Sequence, residues 1–252
     1  NDGAERVWPI SERPVPFPGM FEGTPPLFAF NPLEVSAGSW LTWVEGSGAE
    51  LDIMDPLEYG STAFHEALDE VIQVARSLTA EQLNIAEKWH LDAGSITPVG
   101  KWNRYALEVI EEQQLDSLAS LRLLALLNVA MADATIACWQ VKYHWWTLRP
   151  VTAAQQRGDV DFKPALATPQ HPSYVSGHAT ASGAAAQTLG ALLPVRLESF
   201  DAMAEEAAMS RLYGGIHYRH DNDQGLRLGR LVGSRVLEAS GITLLQGVVD
   251  TN

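Results

Sequence analysis

Three stretches of the chain hold side chains suited to gripping an oxyanion. The first is Lys142-Tyr-His-Trp-Trp-Thr-Leu-Arg149-Pro150. Its Lys and Arg are seven apart, two turns of helix, so on one helix both would project from one face. Trp139, Trp145 and Trp146 beside them argue for partial burial, where two cations need an anionic partner; alone, the pair also suits a solvated helix end that complements its dipole. The second is His171-Pro-Ser-Tyr-Val-Ser176-Gly177-His178-Ala179, where a proline-punctuated loop enters a run of small residues. Free N–H groups at a helix start bind anions. Ser176 adds a hydroxyl, Gly177 lets the backbone approach closely, and His178 in the first turn is placed for acid–base work near neutral pH. The third is Ser210-Arg211-Leu-Tyr-Gly-Gly-Ile-His217-Tyr-Arg-His-Asp221. The Gly-Gly turn swings His217 back towards Arg211. Asp221, four residues on, can hold the ring Nδ1–H and leave Nε2 free as nucleophile or ligand; it also suits an N-cap with Gln224 at N3.

Each stretch has an ordinary structural explanation when taken alone. Together they supply three cations, a helix-start amide nest and two histidines, one backed by a carboxylate. That set suits a tetrahedral or trigonal-bipyramidal oxyanion, with Arg as a fork and Lys as a point charge.

Lys-x6-Arg-Pro, then Ser-Gly-His, then Ser-Arg-x5-His-x3-Asp, in this order, resembles the signature of the vanadium-dependent haloperoxidases, shared with the type-2 phosphatidic acid phosphatase superfamily. It covers residues 142–221, with Val175 where the family usually has Pro. The resemblance implies vanadate as cofactor, with phosphate able to substitute. His217 would bond vanadium through Nε2, making it the metal ligand. Lys142, Arg149 and Arg211 would neutralise the equatorial oxygens with help from Ser176 and Gly177. His178 would be the acid–base group and Asp221 would orient His217. Trp139 and His171 would lie beside the oxyanion, His171 at the position where bromide-oxidising members also have His; ordinary packing explains both equally well. The implied activity is oxidation of halide, bromide or iodide rather than chloride, by hydrogen peroxide to hypohalous acid through a peroxovanadate at His217. The alternative is a soluble acid phosphatase acting through a phosphohistidine at His217, and a third reading is a non-catalytic oxyanion-binding helical protein.

The elements that must position these groups read as an all-α bundle. Phe64, Ala67, Leu68, Val71, Ile72, Ala75 and Leu78 recur at three and four, the period of an amphipathic helix. Thr79 with Gln82 forms a capping box. A short helix is expected around Ala106 to Gln113, a long one from about Asp116 to Trp146, then a polar loop with Pro164, Pro169 and Pro172. A small-residue helix follows Ser176, another runs from about Ser199 to Tyr213, and a last one from about Asn222 to Ala239. Residues 59–252 are thus expected to form the catalytic domain. Residues 1–58 hold eight of the 14 prolines, interleaved with Trp8, Phe17, Phe21, Phe28, Phe30, Trp40 and Trp43. They read as an irregular arm packed on the body or on a neighbouring subunit.

The chain has 252 residues and a net charge of −14, which argues against nucleic acid as a partner and makes any anion site a local cationic pocket in an acidic body. Its one cysteine, Cys138, excludes an intrachain disulfide. The most apolar stretch, Leu118 to Trp139, contains Arg122 and Asp133 and reads as a core helix, so no membrane span is expected. Expected partners are hydrogen peroxide, halide, an organic acceptor and further copies of the chain in a homo-oligomer. The non-Met start is compatible with a secreted or periplasmic protein.

Overall fold

The computed structural model describes residues 13–28, 31–44, 46, 52–92 and 94–242. Trp8 and Phe30 of the expected arm lie outside the described residues. Among the described residues the elements are helical, with one isolated antiparallel bridge, Met20 to Thr147. In chain order they are α1 (Thr62–Arg76), α2 (Ala80–Lys88), α3 (Thr97–Glu112), α4 (Ser117–Trp145), α5 (Pro150–Arg157), α6 (Gly177–Leu192), α7 (Leu197–Tyr213) and α8 (Arg219–Ala239). The fold is all-α, a helical bundle.

Local chemistry sets the helix starts. Ser61 Oγ accepts from Phe64 N, Asp116 Oδ1 accepts from Ala119 N at 2.8 Å, and Thr79 and Gln82 form the reciprocal box. Each such cap is worth about 1 kcal/mol. Two helices depart from expectation. α3 starts at Thr97, with Pro98 in its first turn, nine residues earlier than the periodic stretch suggested. α5 occupies the start of the expected loop, because Pro150 at its first position is pre-organised for a helix rather than against one.

The centre of the bundle is α6, buried continuously from Ala179 to Gly190 and packed on α8, α7 and α4. Only small residues permit that approach. A Cβ on Gly229 of α8 would sit 2.0 Å from Thr180 O, and one on Gly183 of α6 would sit 2.4 Å from Leu226 O. A second core gathers Trp89, Trp102, Leu127 and Phe200, where Trp102 Nε1 donates to Ser182 Oγ at 2.9 Å.

The described part of the arm lies on this body. Phe21 N donates to Trp146 O, Leu148 N to Gly19 O, and Thr24 N to Gln170 Oε1, while Asp133, buried in α4, accepts from Trp43 N and Val44 N.

One expectation is overturned. α4 is 29 residues long, and its most apolar 18-residue window has a mean hydropathy of 1.6, so by length and composition it is able to cross a membrane; 44% of that window is buried inside the protein. The other expected partner relations, an organic acceptor, a homo-oligomer and the exclusion of nucleic acid, have no direct support in the fold.

Candidate active site

Lys142 and Arg149 do not share a helix face. α4 ends at Trp145, and Trp146 adopts a left-handed conformation (φ 53°, ψ 36°) while its N–H donates to Lys142 O. Thr147 pairs with Met20 of the arm in an isolated bridge, and Arg149 becomes the N-cap residue of α5. The two cations meet on the loop before Ser-Gly-His, Lys142 at the carbonyls of Pro172 and Ser173 and Arg149 at His171. Lys142 and Arg149 are fully buried and Arg211 is 1% exposed.

Lys142 Nζ donates to Pro172 O at 2.7 Å and Ser173 O at 3.0 Å, so the last turn of α4 clasps the loop before Ser-Gly-His. Arg149 donates through Nε to His171 O, through Nη2 to His171 Nδ1 and through Nη1 to Ile216 O and to His217 Nε2, the last at 3.0 Å. Arg211, in the last turn of α7, donates through Nη1 to Trp89 O at 2.7 Å.

After α7 the chain turns at Gly214 and Gly215. Gly215 has φ +73°, and a Cβ there would crowd Pro164 at 3.1 Å, so glycine is required on both counts. His217 follows. The N-cap of α8 is Tyr218, not Asp221; Asp221 lies inside the first turn, its Oδ2 accepting from Tyr218 N. The same oxygen takes His217 Nδ1 at 3.0 Å and Ser173 Oγ at 2.6 Å. With Arg149 donating to Nε2 and Asp221 accepting from Nδ1, the network assigns the imidazole proton to Nδ1 and leaves a lone pair on Nε2.

Ser176 is the N-cap residue of α6, yet its hydroxyl makes no cap bond. Ser176 Oγ, His178 Nε2, Arg211 Nε and Trp139 Nε1 are all buried without a protein partner. Buried polar atoms are almost always paired, so this group of orphans is the signature of a site that completes itself with a guest. Gly177 faces the Trp139 ring, to which its Cβ would come within 3.4 Å, and the Trp139 ring lies 5.2 Å from that of His171.

The electrostatics agree. Burial lowers Lys142 to about 7, Arg149 to about 10 and Arg211 to about 9. Burial, then Arg149, Lys142 and Arg211, hold His217 well below its usual value, so its imidazole is neutral. Burial and then Arg211 do the same to His178. Burial pushes Asp221 up against its hydrogen bonds. Lys142 and Arg149 act on the Asp221 carboxylate, while Arg211 is set against Asp92, so buried positive charge exceeds buried carboxylate in the cluster, an imbalance an anion would relieve. Among the described residues no cluster of three or more His, Cys, Asp or Glu could hold a metal cation; the donor set is one for an oxyanion with a single imidazole at its centre.

Every residue singled out in the sequence is therefore in or beside one cluster, with His178 and Arg211 on its Trp89 side and Trp139 and His171 on its other wall. Two contributors were missed. Ser173 bonds both the Asp221 carboxylate and, through its carbonyl, Lys142; its only sequence signal is its place in the punctuated loop. Trp89 contributes a backbone carbonyl, which no side-chain pattern reveals.

The model of the second helical-bundle domain of vanadium chloroperoxidase matches residues 122–194 and 190–241. No curated protein matches the chain. Among solved structures, a bacterial vanadium-dependent iodoperoxidase is 31% identical, with a TM-score of 0.81 over 87% of this chain and 60% of that one. A bacterial vanadium-dependent chloroperoxidase is 17% identical, its apo form with a TM-score of 0.69 over 82% of this chain and 55% of that one, and it supports the fold alone. The chain thus spans about 60% of the length of the iodoperoxidase it matches. The buried oxyanion cluster, the order of its motifs and the matched bundle place this chain in the superfamily of vanadium haloperoxidases and type-2 phosphatidic acid phosphatases.

Proposed function

We propose that the protein is a vanadium-dependent haloperoxidase that oxidises iodide, and bromide less readily, with hydrogen peroxide. The observation that carries this reading is the set of buried unpartnered polar atoms, Ser176 Oγ, His178 Nε2 and Arg211 Nε, arranged with three buried basic side chains about a neutral His217. It fits vanadate in charge, in donor chemistry and in offering one imidazole lone pair. The 31% identical iodoperoxidase and His171 against Trp139 support the preference for the heavier halides.

When bound, vanadate supplies a Lewis-acidic centre at which peroxide is polarised towards attack by halide. The chain does the rest. Asp221 holds the proton on His217 Nδ1, so Nε2, here the acceptor of Arg149 Nη1, is the atom that would meet the central atom once that hydrogen bond is exchanged. Arg211 would offer its unpartnered Nε to an oxygen, Arg149 the Nη2–H left over from its bonds to His171, Ile216 and His217, and Ser176 with the first N–H groups of α6 would add neutral donors. Lys142 is pinned by Pro172 O and Ser173 O, so when protonated its charge would be held in one place beside the oxyanion. His178 Nε2 holds or moves a proton; a bound anion beside it offsets the burial and the Arg211 charge that keep it neutral.

The test is halide oxidation by the purified chain with peroxide, with vanadate added or withheld. Iodide oxidation that requires vanadate is the expected result. Phosphate-ester hydrolysis without peroxide, with no vanadate-dependent oxidation, would overturn the reading in favour of a phosphatase.

A further inference from the structure

A cavity of about 310 Å³ lies between the arm and the bundle, and of the oxyanion cluster only Asp221 reaches it. Its walls are aromatic: Phe17, Tyr59, Phe64, Trp145, Tyr174 and Tyr218. The charged groups that line it are Asp55, Glu58 and Asp221, with no Lys, Arg or His among them. Among the described residues, neither Asp55 nor Glu58 forms an ion pair. The hydroxyls of Tyr59 and Tyr174 are engaged, by Gln156 Oε1 and Met54 O, so these residues offer the cavity their rings. Tyr218 is 4% exposed, and its hydroxyl is buried with no protein partner. The three bonds to Asp221 described above all converge on Oδ2.

We propose that this cavity binds a small organic cation, a protonated amine carried on an apolar or single-ring body. Aromatic faces are electron-rich and attract a cation held against them. The carboxylates add charge of the right sign. A neutral ligand of the same shape would gain nothing from the Asp55 and Glu58 carboxylates, which stand exposed at the cavity rim, and an anion would be repelled. The volume sits at the small end of ligand pockets. The oxyanion site is charged the opposite way, so the two sites select different ligands although they share Asp221. This inference does not depend on the haloperoxidase reading.

The test is calorimetric titration of the full chain at pH 7 with three ligands of one shape: phenethylamine, 2-phenylethanol and phenylacetate. The amine is expected to bind at one site, the alcohol roughly tenfold more weakly and the carboxylate not at all. Asp55→Asn with Glu58→Gln should weaken the amine roughly tenfold while leaving the circular dichroism spectrum and phosphate binding unchanged. Alcohol binding as tight as amine binding would make the cavity an apolar site and overturn the proposal. So would no detectable amine binding by folded wild-type protein, or undiminished binding by the double variant.

Discussion

The two ends of one helix differ in what they leave unsatisfied. From Ala179 to Gly190, α6 is a dry seam. Small side chains bring its backbone against α8, and the polar groups it buries find partners, as Thr180 Oγ1 does on Ser176 O and Thr188 Oγ1 on Ala184 O. At its N-terminus, three residues away, Ser176 caps nothing, and Ser176 Oγ and His178 Nε2 are buried unpaired beside three cations. The seam gains stability by completing its own contacts, whereas the pocket forgoes stability to keep donors and charge ready for a guest. The difference teaches that incompleteness confined to one end of a well-satisfied helix marks a site, not a packing fault.

The sharpest way to break this comparison is at the pocket's centre. His217→Ala should remove vanadate-dependent iodide oxidation by roughly three orders of magnitude or more, with helicity unchanged by circular dichroism; full activity in that variant would remove imidazole ligation from the account. The seam should respond in stability. Gly229→Val places carbon atoms where Thr180 O already sits, 2.0 Å from a Cβ, and should destabilise by about 3 kcal/mol, read as a lower thermal midpoint. Unchanged stability there would show that the helices can separate freely.

Lys142→Met tests the trade directly. It should weaken vanadate binding while changing the stability of the ligand-free protein by less than about 2 kcal/mol near neutral pH, because removing a buried charge is offset by leaving Pro172 O and Ser173 O without their donor. The pH dependence has a definite sign. Folded Lys142 titrates at about 7 rather than 10.5, so between those values the unfolded chain holds a proton that the folded protein has released. Wild-type stability therefore rises from about pH 7 to about 10.5 through this group, and the Met variant should lack that part of the slope. The smallest effect belongs to Ser176→Ala. Its hydroxyl makes no bond within the protein, so stability should hold within about 0.5 kcal/mol, while oxyanion affinity falls by about tenfold, one lost hydrogen bond to a charged guest. A larger loss of stability than of affinity would mean that the hydroxyl serves the fold.

Much of this molecule was legible along the chain. Thr79 and Gln82 announced the start of α2, and the run of Ala and Gly after Ser176 announced a tightly packed helix, because both signals act over one or two turns. α5 was not legible, since Pro150 reads locally as a stop when its neighbours instead make it a start. Asp221 looked like a cap because residue type alone does not say where a helix begins; that was settled by Tyr218, three residues earlier.

The sequence by itself determined the chemical inventory: three cations, a Ser-Gly-His entry and an imidazole four residues ahead of a carboxylate, in an order with one familiar use. Only the tertiary structure decided their convergence. It set Lys142 on Pro172 O and Arg149 on His171, put Ser173 on Asp221 and laid the carbonyl of Trp89 against Arg211. Those contacts join residues 22 to 122 positions apart, a distance over which local pattern carries no information. They are fixed by which helices pack together, and that is set by the close approach of α6 and α8 that their glycines allow.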